Sequence, residues 1–185
     1  MTNGLLLAGL FTLGWIPHFV YRTEALTDAF ASYSRSERFW VIAAPSIIGT
    51  NTAIACITLS LARTIPPWRT ALSVAVFAGG VGFWLWGRRA IAPYATRRLP
   101  DEPPLAFRRD GPFGLVRNPL YFGTMLAAVA PVIAAAEPFL LVPYSACVVA
   151  LRVRAEQEER RLHQQLGPAY AQYCDEVKRL IPFLW

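Results

Sequence analysis

Two groups of residues in this 185-residue chain have types and spacings that could do chemistry. The first is Gly111-Pro112-Phe113-Gly114-Leu115-Val116-Arg117-Asn118-Pro119-Leu120-Tyr121-Phe122-Gly123, where a basic loop runs into an uncharged apolar stretch. Gly111, Pro112 and Gly114 disfavour a helix interior before the motif, and Pro119 suits a first helical turn, where its missing N–H costs nothing. A helix starting there presents backbone N–H groups beside Arg117 and Tyr121. That arrangement suits an anionic or polar small molecule at a membrane surface. The second group is Arg154 and Glu158, four residues apart and so on one helix face, with Glu156 and Glu159 pointing elsewhere. From spacing alone an ordinary exposed ion pair, worth about 0.2–0.5 kcal/mol, is the plainer reading. If their helix leaves the hairpin at the cytoplasmic interface, the pair sits near the depth of Arg117–Tyr121.

Other chemistries find little support. Glu159 and His163 lie one helical turn apart, but one carboxylate and one imidazole make a poor ligand set, so no metal is expected. Cys56, Cys147 and Cys174 show no CxxC spacing and read as packing residues. The chain has no Walker loop, no GxGxxG, no Ser-His-Asp arrangement and no repeat at a fixed period.

The elements that must position these residues are membrane helices. The chain is 55% hydrophobic, its mean hydropathy is +0.35, and its charges are bunched. Stretches free of Asp, Glu, Lys and Arg cover 1–21, 39–62, 70–87, 118–136 and 138–151. A helix crosses the hydrocarbon in about 20 residues, so the first four qualify. The fifth is short and contains Pro143, and reads as the return arm of a tight hairpin after Glu137-Pro138. The expectation is an all-α membrane protein of about five transmembrane helices with a C-terminal cytoplasmic helix. Residues 1–87 are the scaffold and 88–185 the functional core. Residues 1–21 do not read as a signal peptide, lacking a basic n-region before Leu5.

Arginine sets the expected orientation. Arg88, Arg89, Arg97, Arg98, Arg108, Arg109 and Arg117 crowd the 88–117 loop, and Arg152, Arg154, Arg160, Arg161, Lys178 and Arg179 the tail. The positive-inside rule puts both in the cytoplasm and the N-terminus outside. Anionic headgroups then account for the net charge of +6, and no nucleic-acid partner is needed. Gly49, Gly79, Gly80 and Gly82 are expected to permit close helix approach, and Trp84 and Trp86 to anchor at the interface. A charged helix from Leu151 to about Gln165 should end at Gly167-Pro168. Beyond it an apolar-aromatic face leads to Pro182-Phe183-Leu184-Trp185, lying back on the membrane or over a pocket.

Two patterns resemble those of the isoprenylcysteine carboxyl methyltransferase family and the related membrane phospholipid methyltransferases. The first, G-P-[YF]-x-x-V-R-[HN]-P-x-Y-x-G, is met by Gly111, Pro112, Phe113, Val116, Arg117, Asn118, Pro119, Tyr121 and Gly123. The second begins R-x-x-x-E-E and is met by Arg154, Glu158, Glu159, Leu162, Leu166, Gly167, Tyr170, Tyr173, Val177, Arg179, Ile181 and Pro182. Their occurrence in order, flanking a membrane hairpin, is more specific than either alone. The resemblance implies methyl transfer from S-adenosyl-L-methionine to a lipid-like or prenylated acceptor entering from the bilayer. It implies that Arg117, Asn118, Pro119 and Tyr121 line the cofactor pocket with Glu158 and Glu159, and that Tyr170 and Tyr173 close it. Arg179 and Ile181 then lie near the adenosine, and Arg154 and Glu158 act at the reacting groups. Many family members carry His where this chain has Asn118, which cannot become cationic.

Methyl transfer from a sulfonium is an in-line displacement that needs alignment and exclusion of water. A carboxylate acceptor is already ionised, whereas an amine must first lose a proton. Neither His18 nor His163 is one of the motif residues, which favours a carboxylate or thiol acceptor, although Glu158 or Glu159 could serve as a base. Three alternatives stand beside this reading. They are a phospholipid N-methyltransferase, an NADPH-dependent membrane reductase and a non-enzymatic lipid-binding membrane protein.

Overall fold

The computed structural model of the chain describes residues 3–15, 33–62, 64–95 and 109–182, and these form helices with no strand among them. In order they are α1 (Asn3–Leu13), α2 (Arg35–Leu61), α3 (Pro67–Ala95), the single turn α4 (Pro112–Leu115) and α5 (Pro119–Ala135). A 3-10 turn at Pro138–Leu140 leads into α6 (Leu141–Leu166), and α7 (Pro168–Glu176) follows. His18, residues 96–104 of the proline-rich stretch and the terminal Phe183, Leu184 and Trp185 lie outside the described residues.

Among the described residues three helices are long and apolar enough to cross a membrane: Arg35–Leu61, Pro67–Ile91 and Pro138–Leu166. In the last of these, α6 runs unbroken from the apolar 141–151 stretch through the charged 152–166 stretch, so the short apolar arm and the charged segment are one helix. Two shorter apolar helices, α1 and α5, complete the set. At 17 residues α5 is about 25 Å long, less than the roughly 30 Å of hydrocarbon. Pro119 starts it, and Ala136, in a left-handed conformation, stops it.

Helix α5 is the centre of the bundle. Met125, Ala127, Ala128, Ala130, Val132 and Ala134 are buried along it, against α2, α3 and α6. Two glycines set the α3–α5 distance. A Cβ on Gly123 would lie 2.7 Å from Gly80 O and 2.7 Å from Trp84 N, and one on Gly80 would lie 2.5 Å from Ala127 N. The motif's last glycine is therefore a packing position, as small residues at membrane helix contacts are. Gly49, Gly79 and Gly82 face open space instead. Trp84 packs inside the bundle while Trp86 is exposed, so only the second has the exposure of an interfacial anchor.

Large apolar side chains such as Leu6, Ile42, Ile57, Leu61, Trp68 and Val142 are exposed on the periphery, as a bilayer would require. In α2 the hydroxyls of Ser46, Thr50, Thr52 and Thr58 donate to carbonyls four residues back, which satisfies them without water. The bundle has two distinct ends. Gly4 packs on Leu59 at one end, and at the other the start of α2 meets α6 and Gly87 meets Pro119.

Candidate functional site

The motif and the C-terminal segment meet at the end of the bundle where α5 begins. Gly111, with φ 59° and ψ −131°, takes a conformation open to glycine alone and turns the chain into α4. Val116 is then extended and fully buried, and Asn118 takes the N-cap position of α5. Its side chain makes no cap hydrogen bond and points instead to α6. The backbone N–H groups of Arg117 and Asn118 donate to Lys178 O (2.8 Å) and Arg179 O (3.1 Å). Those two N–H groups, expected at the interface for a ligand, hold the tail.

Glu159 organises this junction. It is 4% exposed. Arg117 donates to it through Nε (3.0 Å to Oε1) and Nη2 (3.2 Å to Oε2). Asn118 Nδ2 donates to Oε1 at 2.9 Å, and Arg179 Nε to Oε2 at 2.9 Å. The remaining Arg117 nitrogen, Nη1, donates to Cys174 O (2.8 Å) and Val177 O. Burial works against the Arg117 cation, but the hydrogen bonds and charge of Glu159 outweigh it and hold its pKa above the ordinary arginine value. Arg117, Asn118, Glu159 and Arg179, all expected around a cofactor, thus direct these groups at one another.

Glu156 belongs to the same network. Its Oε1 accepts from Arg152 Nε (3.0 Å) and Arg179 Nη1 (3.0 Å). Although it faces away from Arg154, it is not an idle surface carboxylate, and the spacing argument missed this because Arg179 arrives from the tail.

Glu158, one residue from Glu159, projects the other way. Tyr121 OH and Arg154 Nη2 (2.9 Å) both donate to its Oε1. The Arg154 side chain is 13% exposed and that of Glu158 is 43% exposed. The i,i+4 pair is therefore half-buried and joined to the motif through Tyr121, unlike a solvated pair. Glu158 Oε2 takes no hydrogen bond from the described residues, leaving a carboxylate oxygen open at the edge of the cluster.

The aromatic residues of the tail close the junction. Tyr170 and Tyr173 are buried, 5.8 Å apart, and Tyr173 OH donates to Phe113 O at 2.6 Å. Burial pushes both phenols well above their ordinary pKa, so they remain neutral donors. Arg109 Nη2 donates to Ala169 O at 2.7 Å. Leu180 is fully buried, and Ile181 packs against the core behind it. Pro119 is buried against Gly87.

Sequence reasoning also missed a third contact. Ser34 and Glu37 form a capping box at the start of α2, and Glu37 pairs with Arg161 on α6. The S-x-x-E spacing was a readable signal of the helix start, but the pairing across 124 positions was not.

Fold and site together define an all-helical bundle with membrane-length helices and a polar cluster at one end, where the α5 motif and α6 converge. In sequence the chain is 31% identical over 127 residues to a methanethiol S-methyltransferase from Pseudomonas sp. (strain GM41(2012)). The match takes in 63% of this chain and 47% of that protein, so the chain spans about half the length of the relative it matches. No family model matches the chain, and no solved structure matches it.

Proposed function

We propose that this protein is a membrane methyltransferase that uses S-adenosyl-L-methionine and acts on a lipid-soluble acceptor with an anionic nucleophile. The observation that carries the reading is the Tyr121–Glu158–Arg154 cluster, in which the two halves of the motif pair meet at a part-exposed carboxylate. The similarity to a methanethiol S-methyltransferase supports the same reaction class and puts a thiol first among acceptors, with the prenylcysteine-like carboxylate second. The proposed orientation keeps the arginine-rich end cytoplasmic and the N-terminus outside.

The residues present fit the donor. Glu158 Oε2 is an acceptor suited to an ammonium or ribose hydroxyl, and Tyr121 and Arg154 hold the carboxylate in place while it binds. When bound, S-adenosyl-L-methionine supplies an electrophilic methyl group on a sulfonium. Arg154, 13% exposed, provides a cation beside which a thiolate or carboxylate can be oriented. Its hydrogen bond to Glu158 keeps it from neutralising that nucleophile fully. The exposed apolar periphery suits an acceptor that arrives from the bilayer. Arg117, Asn118, Glu159 and Arg179 hold the tail against the start of α5 and so fix the frame from which Tyr121 reaches Glu158.

The test is calorimetry of the purified protein with S-adenosylhomocysteine and with NADPH, followed by product analysis with thiol, carboxylate and phospholipid acceptors. Binding of the first ligand and methylation of a thiol or carboxylate are expected. Binding of NADPH alone, or of neither ligand at millimolar concentration, would refute the reading.

A further inference from the structure

The first half of the chain contributes more to the site than apolar scaffolding. On α6, Arg154, Gln157, Glu158 and Arg161 recur at intervals of three, four and seven and so share one face. Two of the four meet the start of α2. Arg161 donates to both oxygens of Glu37, through Nε and through Nη2 at 3.0 Å. Gln157 Nε2 lies 3.5 Å from Ser36 Oγ. The Arg161 guanidinium also lies 4.1 Å from the centre of the Tyr33 ring, a cation–π distance. The same Glu37 carboxylate accepts from Ser34 N at 2.8 Å. One side chain thus fixes where α2 begins and where α6 lies against it.

We propose that Glu37 is a positioning residue: by gripping Arg161 it sets the rotation of α6 that presents Arg154 and Glu158 to Tyr121. The effect on turnover rests on the methyl-transfer reading; the clasp itself does not. Apolar contacts between α2 and α6 can slide, whereas a two-point guanidinium–carboxylate pair defines an angle. With side chains a helix has a radius of about 5–6 Å, so a turn of about 20° moves side-chain tips by roughly 2 Å. A misplacement of about 1 Å at a reacting centre can cost on the order of a hundredfold in rate.

The experiment uses the full chain with two readouts. In the first, Ser36→Cys and Gln157→Cys are joined by a short bifunctional thiosulfonate, with Cys56, Cys147 and Cys174 replaced by serine. Adding Glu37→Gln should slow cross-linking at least tenfold; an unchanged rate overturns the proposal whether or not the protein methylates anything. In the second, Glu37→Gln should lower kcat at least tenfold at a temperature where circular dichroism shows the variant fully folded. The exchange Glu37→Arg with Arg161→Glu should recover part of that loss, whereas Glu37→Arg alone should recover none. Arg160→Gln, on the adjacent exposed position, is the control and should match wild type. Full turnover in Glu37→Gln, in a wild-type background shown to be active, also overturns the proposal. Slowed cross-linking in a protein that neither binds S-adenosylhomocysteine nor methylates any acceptor supports the clasp and removes the methyltransferase reading.

Discussion

Replacing Glu158 and Glu159 one at a time should give opposite defects, although they are neighbours of identical chemistry. Glu159 is 5% exposed in its side chain and takes four hydrogen bonds from Arg117, Asn118 and Arg179. Glu159→Ala strands the Arg117 cation, itself only 9% exposed, in a buried site. Breaking a buried pair in this way costs about 3–5 kcal/mol. Arg179 is 27% exposed, so water can take up part of its loss and the lower half of that range is expected. For a chain of this size such a cost lowers the melting temperature by on the order of 10 °C. Glu158 is 43% exposed but its partner Arg154 only 13%, so its removal should cost about 1–2 kcal/mol, well below the cost at Glu159. Glu158→Ala should instead weaken S-adenosylhomocysteine binding and cut turnover about a hundredfold, equivalent to roughly 2.7 kcal/mol at the transition state. Thermal unfolding in one detergent, ligand calorimetry and single-acceptor kinetics measure all three quantities. Glu159→Ala as stable as wild type would refute the buried-network argument. Near-normal turnover in both Glu158→Ala and Arg154→Ala would return that pair to an ordinary ion pair.

At the helix contact, Gly123→Ala places a Cβ 2.7 Å from backbone atoms of α3 that cannot rotate away. It should destabilise the bundle by about 1–3 kcal/mol, read by thermal unfolding, whereas Gly79→Ala, in open space, should not. Glu156→Ala should loosen the tail by removing one of the two carboxylates that hold Arg179, seen as faster proteolysis of the tail with turnover less affected than in Glu158→Ala. Cysteine labelling in intact vesicles should find positions 37 and 161 accessible from one side and position 137 from the other. Labelling of all three from one side would exclude the hairpin crossing. Acceptors with a long apolar chain should be methylated more efficiently than truncated water-soluble analogues, and equal efficiency with detergent controlled would argue for an aqueous substrate.

Much was legible in the residues themselves. Charge-free stretches mark apolar helices because a buried charge is costly in any apolar setting, and this holds whatever the helices pack against. The breaks at Gly111–Pro112 and Gly167–Pro168 are local chemistry, and the chain turns at both. The second motif's i,i+4 pair also forms as its spacing implies. Span lengths were less legible, because α5 is stopped by Ala136 and sheltered by its neighbours, while α6 carries its charges without a break. Helical spacing could separate the directions of Glu158 and Glu159 but not decide their duties. Those depend on what arrives from 37 to 42 positions upstream and 20 downstream: Tyr121 beside one, Arg117, Asn118 and Arg179 around the other. The same holds for Glu37, whose capping role is local and whose grip on Arg161 is not. Residue types and short spacings determine which groups can bear charge and which face of a helix they share. Only the packing of distant helices decides which carboxylate is enclosed by partners and which is left with an open oxygen, because desolvation and pairing are properties of the assembled surroundings.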